Sequence, residues 1–155
     1  MKRNEVFEII HKVNDPVKDS DKILANLHYT HFFLIDSYKK TLLAYDLTPT
    51  QANVLGIISF FYPRAVTLEE VKEMVLEPNS DVSRTVTRLA EKGFVEKVIN
   101  KENRRKISIM ISTKGQKILK KIESEGKFKK VTSLLDLREA RNFVKTLQKL
   151  REATK

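Results

Sequence analysis

The 155 residues contain no cysteine and no tryptophan, and only four glycines, four prolines and three histidines. Without cysteine there is no disulfide, no thiolate zinc site and no cysteine-based redox sensor. The glycines, at 56, 93, 115 and 126, make no phosphate-cradling loop of known spacing. The histidines are His11, His28 and His31. His28 and His31, at i and i+3, share a helical side, but with no third ligand in the pattern no metal is expected. No constellation suits acid–base or nucleophilic catalysis, so no enzyme and no cofactor are expected. Long apolar runs are also missing. Val54 to Tyr62 is the longest, far short of the ~20 residues that a membrane helix needs. Glu5, Glu8 and His11 interrupt the N-terminus before it could serve as a signal peptide. A soluble, cytoplasmic protein is expected, with no membrane partner.

What the chain has in excess is positive charge. Thirty Lys and Arg stand against twenty Asp and Glu, a net +10 and a sequence pI near 9.7, which favours a polyanionic partner. The charge is concentrated. From Arg84 to Lys106 there are eight Lys or Arg and three Glu, a net +5. Clustered cations are the footprint of nucleic-acid binding, although a charged helix and hairpin are also an ordinary solvated surface. A second run, Lys114 to Lys130, carries seven Lys against Glu123 and Glu125. It suits the flank of DNA or an acidic protein partner.

The basic stretch has the periodicity of a helix followed by a hairpin. From Ser80 to Lys92, Val82, Val86 and Leu89 recur at i, i+4 and i+7 and share one face. Ser80, Arg84, Thr87 and Arg88 fall opposite, with Asp81 at the edge. Gly93 suits the helix stop. Beyond it the period changes to 2, predicting strands over 94–99 and 106–111 joined by a polar loop that carries Lys101, Arg104 and Arg105.

Elsewhere the pattern is helical. Helices are expected over 4–13 and over 19–45, the latter with Leu24, Leu27, Leu34, Ile35, Tyr38, Leu42 and Tyr45 on one face. Ala25, Tyr29, Phe32 and Leu43 form a second apolar strip, so this helix must be covered from more than one side. Thr48-Pro49-Thr50-Gln51 and Thr67-Leu68-Glu69-Glu70 are capping boxes that open two more helices. Glu77-Pro78-Asn79 turns into the basic helix, completing a helix-turn-helix unit. Ser112-Thr113 can cap a helix running to about Val131. Asp136 opens the last helix, whose Leu137, Ala140, Val144, Leu147 and Leu150 resemble a helix–helix seam. The expected fold is mainly α with a small β-hairpin. Its parts are N-terminal helices (1–46), a winged helix-turn-helix lobe (47–112) and C-terminal helices (113–155).

That order resembles the MarR family of bacterial and archaeal transcription regulators. The carriers are Leu47-Thr48-Pro49-Thr50-Gln51 with Val54-Leu55, then Val82-Ser83-Arg84, Arg88-Leu89 and Glu91-Lys92-Gly93-Phe94-Val95. The wing's Asn103-Arg104-Arg105 and Ser112-Thr113-Lys114-Gly115 complete it. The resemblance covers about Tyr29 to Leu150. It implies a homodimer joined through the terminal helices, a repressor that binds a pseudo-palindromic operator in double-stranded DNA. The recognition helix would enter the major groove and the wing arginine the minor groove.

The helix contacts would be Ser80, Asp81, Ser83, Arg84, Thr85 and Arg88. Arg105 matches the minor-groove arginine, with Lys101, Arg104 and Lys106 as phosphate neutralisers. Asn103 stands where the family has Asp, Thr87 where an acidic residue is common, and Ser112 where Thr is usual. The resemblance also implies a small aromatic or lipophilic effector between the dimer helices and the lobe, with His28, Tyr29, His31, Phe32, Tyr38 and Phe60 as candidates. For His31 the plainer expectation is a hydrogen-bonded core histidine, and for the aromatics, core packing. The alternative function is a winged-helix module that binds a protein partner in place of DNA. The operator, the effector and the sign of regulation are not legible in the sequence.

Overall fold

The computed structural model describes residues 19–75, 81–99, 107–125, 131 and 133–153. The expected helix over 4–13 lies outside them. The described residues form α1 (Asp19–Leu43), α2 (Pro49–Phe60), β1 (Val66–Thr67), α3 (Leu68–Met74), α4 (Val82–Glu91), β2 (Val95–Ile99), β3 (Ile107–Ile111), α5 (Thr113–Glu125) and α6 (Leu137–Glu152). The fold is mainly helical.

Both threonine capping boxes form. Thr48 accepts from the Gln51 amide and Gln51 returns the bond to Thr48 N, at 3.2 and 3.1 Å. Thr67 and Glu70 do the same for α3. Each side chain satisfies an amide that a helix start leaves without an intrahelical partner. Thr67 is also the last residue of β1, so strand and helix meet without a loop.

The sheet differs from the expected hairpin. It has three antiparallel strands in the order β1-β3-β2, with Val66 opposite Ile109 and Val95 opposite Ile111. Two-residue β1 is too short to leave a period-2 signature. It covers the edge of β3 that a two-stranded hairpin would expose.

Alternation along the strands puts Val66, Val95, Ile109 and Ile111 inside, against Val54, Leu55 and Ile58 of α2 and Val82, Val86 and Leu89 of α4. Leu42 at the end of α1 and Ile122 of α5 join this core. Burial of each such side chain stabilises by about 1.5–3 kcal/mol.

Helix α4 ends in a paired reverse turn. Gly93 has φ 72°, its amide donates to Ala90 O, and the Phe94 amide donates to Leu89 O. This is the geometry for which a residue without Cβ costs least. Ser112 clasps the turn: its hydroxyl donates to Gly93 O at 2.7 Å and accepts from Gly115 N at 3.0 Å. A Cβ on Gly115 would lie 2.2 Å from Phe94 O, so the approach of α5 to this turn requires glycine.

The terminal helices are packed differently. Phe32 and Phe33 of α1 are 57% and 63% exposed, and Phe143 and Val144 of α6 are 52% and 53% exposed. No residue of α6 is buried. Part of the apolar surface of each helix is uncovered in the single chain.

Candidate nucleic-acid interface

The outward face of α4 follows from its inward one. With Val82, Val86 and Leu89 buried, the 100° step puts Ser83, Arg84, Thr87 and Arg88 outside, and all four are exposed. Thr85 is half-buried at the margin. The helix begins at Val82, whereas the sequence pattern starts it at Ser80. Asp81 is its N-cap, accepting from Arg84 N at 2.9 Å, and its charge lies favourably at the helix's positive end. Asp81, a candidate contact, therefore has a structural task that accounts for it without DNA.

The threonine hydroxyls are also engaged. Thr85 Oγ1 donates to Asp81 O at 2.9 Å and Thr87 Oγ1 to Ser83 O at 3.0 Å. A hydroxyl has one proton to give. While these bonds hold, both threonines can meet a base edge or phosphate only as acceptors, and Arg84 and Arg88 are the strong outward donors.

Thr48, Thr50 and Gln51, at the start of α2, line the same recess as Asp81, Arg84, Thr85 and Arg88. Sequence reading used these residues to start a helix and to carry the family resemblance, and did not place them at the site. No local signal places them there; the recess arises where the start of α2, its positive end, lies beside α4. Of the remaining site candidates, Ser80, Lys101, Asn103, Arg104, Arg105 and Lys106 lie outside the described residues.

Lys92, also in the basic stretch, faces elsewhere. Its ammonium donates to the Asp46 carbonyl and lies 2.8 Å from Asp46 Oδ2. Lys114 Nζ in turn donates to Lys92 O at 2.7 Å and stands over the Phe94 ring. These two cations join the ends of α1 and α5 to the end of α4.

The candidate effector residues separate into two places. Tyr38 and Phe60 line a cleft of about 810 Å³ between α1, α2, α3 and α5. Burial pushes the Tyr38 phenol above its ordinary pKa and keeps it protonated. His28, Tyr29, His31 and Phe32 lie outside that cleft's lining, on the first half of α1. His31 is exposed in the protomer, edge-on to Phe32 at 5.8 Å. The expectation of a core histidine is corrected by this, and that of core aromatics by Phe32 and by Phe60, which is 78% exposed. Apolar periodicity marks a covered face without saying whether the same chain covers it.

Among the described residues no group of three or more His, Asp or Glu is placed to hold a metal, and no helix is long and apolar enough to cross a membrane.

The sequence profile of the MarR family matches residues 45–106, from the turn after α1 to the residue before β3. Three solved structures are similar over most of their lengths. MepR of S. aureus, in its DNA-binding conformation, is 17% identical with TM-score 0.71, covering 86% of this chain and 98% of that one. A cysteine-to-serine mutant of MarR from E. coli, complexed with operator DNA, is 21% identical with TM-score 0.67, covering 88% and 99%. A putative MarR-like transcription regulator from Bacillus cereus is 16% identical with TM-score 0.67, covering 88% and 99%. No curated protein matches the sequence.

Proposed function

We propose that this chain is a winged helix-turn-helix transcription regulator of the MarR family, whose profile matches residues 45–106, and that it acts as a homodimeric repressor of a pseudo-palindromic operator. The observation that carries the reading is the outward face of α4: two arginines beside acceptor-only threonines, backed by a fully buried apolar face. Arg84 and Arg88 suit base edges and phosphates. Ser80, Ser83, Thr85 and the α2 start complete the major-groove surface. On the family pattern Arg105 is the minor-groove arginine, while Lys101, Arg104 and Lys106 neutralise phosphates.

On this reading residues 47–112 are the DNA-binding lobe. Residues 1–46 and 113–155 are the dimerisation helices, whose uncovered apolar faces a second copy covers. The dimer presents two α4 helices to half-sites about one helical turn apart. A small effector in the cleft beside Tyr38 and Phe60 changes how the lobes sit and releases DNA. The protein works in the cytoplasm.

Selection of bound sequences from random duplex DNA tests this directly. The expected result is a two-fold symmetric motif with half-sites about 10–10.5 base pairs apart and a steep loss of affinity with salt. Recovery of no enriched motif, together with a salt-tolerant complex with a protein, would replace it with the protein-binding alternative.

A further inference from the structure

The cleft beside Tyr38 and Phe60 has an unusual floor. Gly56 sits in the interior of α2, where glycine costs about 1 kcal/mol relative to alanine, and a Cβ there would meet nothing within 4 Å. Packing within the protomer does not call for glycine at this position, as it does at Gly115. What the missing side chain leaves is room.

The walls are apolar or aromatic apart from Tyr38, Asn53 and one charged group, Glu123 of α5. Glu123 is exposed, and among the described residues it has no cationic partner. This is a carboxylate at the edge of an apolar cleft in a chain of net charge +10. Lys120 borders the adjoining recess, which Glu123 and Phe60 also line, and is not part of the cleft's own lining.

We propose that this cleft takes a lipophilic organic monocation, its apolar body over Gly56 between Phe60, Met74 and Leu119, and its charge towards Glu123. The proposal rests on the effector reading above and adds the sign of the ligand's charge. A cation gains from a carboxylate at the edge of the cleft and from the faces of aromatic rings such as Tyr38 and Phe60. An anion of the same shape meets Glu123 as a like charge. The cationic α4 surface, which would draw anions, is a different part of the molecule.

Tetraphenylphosphonium and tetraphenylborate are near-identical in shape and opposite in charge, and serve as probes. Their binding to the full-length protein is measured by calorimetry, and their effect on DNA affinity by anisotropy with the selected operator. The wild type is expected to bind the phosphonium more tightly than the borate. Glu123→Gln should weaken the phosphonium by about two- to fivefold without weakening the borate. Gly56→Leu, which fills the floor, should weaken both while leaving DNA affinity without ligand unchanged.

Tighter borate binding, or phosphonium binding unaffected by Glu123→Gln, overturns the proposal. Phosphonium that binds as expected but leaves operator affinity unchanged upholds the charge preference and overturns effector control. Release of DNA by the borate alone upholds effector control and overturns the charge preference. If neither ion binds, both fall.

Discussion

Lys92, the residue that closes α4, is paired with Asp46, the residue that ends the turn after α1. The ammonium reaches both the carboxylate, at 2.8 Å, and the carbonyl. The Asp46 carboxylate is 93% exposed, so the ion pair itself contributes little in water. The carbonyl bond is the more valuable half, because the Lys92 side chain is only 27% exposed. Asp46 also has φ 51°, a conformation that glycine adopts without penalty. Lys92→Ala should therefore destabilise by about 1 kcal/mol, seen as a melting point about 2–4 °C lower. Asp46→Gly should cost less than about 0.5 kcal/mol, since relief of the backbone offsets the lost carboxylate. Equal losses in the two variants would show the ion pair to be the principal term.

The junction of α4, β2 and α5 depends on Gly115 and Ser112. A Cβ on Gly115 meets Phe94 O at 2.2 Å and Ile111 Cγ1 at 2.9 Å, backbone on one side and core on the other. Neither can yield cheaply. Gly115→Ala should destabilise by about 2–3 kcal/mol or more, measured by chemical denaturation. Gly56→Ala, in open space on α2, should be neutral or stabilising by up to about 1 kcal/mol. Ser112→Ala strands Gly93 O and Gly115 N and should cost about 1–3 kcal/mol. A tolerated Gly115→Ala would mean that α5 docks less closely on Phe94 than described.

Glu70 gives the lobe a dependence on acid. The Thr67 amide hydrogen bond, then the Arg64 guanidinium at 2.8 Å, hold its carboxyl below the ordinary pKa. A carboxylate with a lowered folded pKa contributes stability that is full above its unfolded value and is lost as pH falls through its folded one. Stability should accordingly be flat near neutrality and decline on entering the carboxylate range. Glu70→Gln should be less stable at neutral pH, with the gap to wild type closing in acid. Denaturant midpoints taken across that range check it, and a gap of constant size would remove Glu70 from the account. The exposed surroundings keep the effect small.

Arg84 and Asp81 lie three residues apart with different expected roles. Arg84→Ala should lose about 1–3 kcal/mol of operator binding and relax preference at one half-site position. Equal weakening on operator and random DNA would make it a phosphate contact. Asp81→Ser keeps a capping oxygen and should leave folding stability within about 0.5 kcal/mol, whereas Asp81→Ala should lose about 1 kcal/mol. If Asp81→Ser weakens the operator complex at unchanged stability, the carboxylate contacts the DNA assembly as well as capping the helix.

Local chemistry was legible where the signal is local. Thr48, Thr67 and Asp136 marked helix starts by capping boxes that all form. Val82, Val86 and Leu89 marked the buried side of α4, and Gly93 its end. Three features were hidden because their causes lie elsewhere in the chain. Strand β1 exists through pairing with a segment more than forty residues away. The exposure of His31 and Phe32 in the single chain was hidden because apolar periodicity marks a strip without saying what covers it. The recess joining Thr48 and Thr50 to Arg84 and Arg88 depends on how α2 and α4 cross, which no single helix encodes.

The strip on α6 supplies the last test. Val144 is 53% exposed and Leu137 68% exposed in one protomer, and no residue of this helix belongs to the lobe's core. A charge placed at Val144 therefore leaves the lobe intact, but in a dimer it would be buried twice, once from each copy, at several kcal/mol in all. Val144→Asp should shift the protein from dimer to monomer at micromolar concentration, with dimerisation weakened by about a hundredfold or more. Lys145→Asp, one residue on and pointing about 100° away, serves as the control and should stay dimeric. Sedimentation equilibrium reads the mass, and anisotropy should show operator affinity falling in parallel, because each half-site is then bound without its neighbour. A Val144→Asp protein that remains dimeric would place the subunit contact away from α6. A monomer that binds the full operator as tightly as wild type would mean that the two half-sites are read independently.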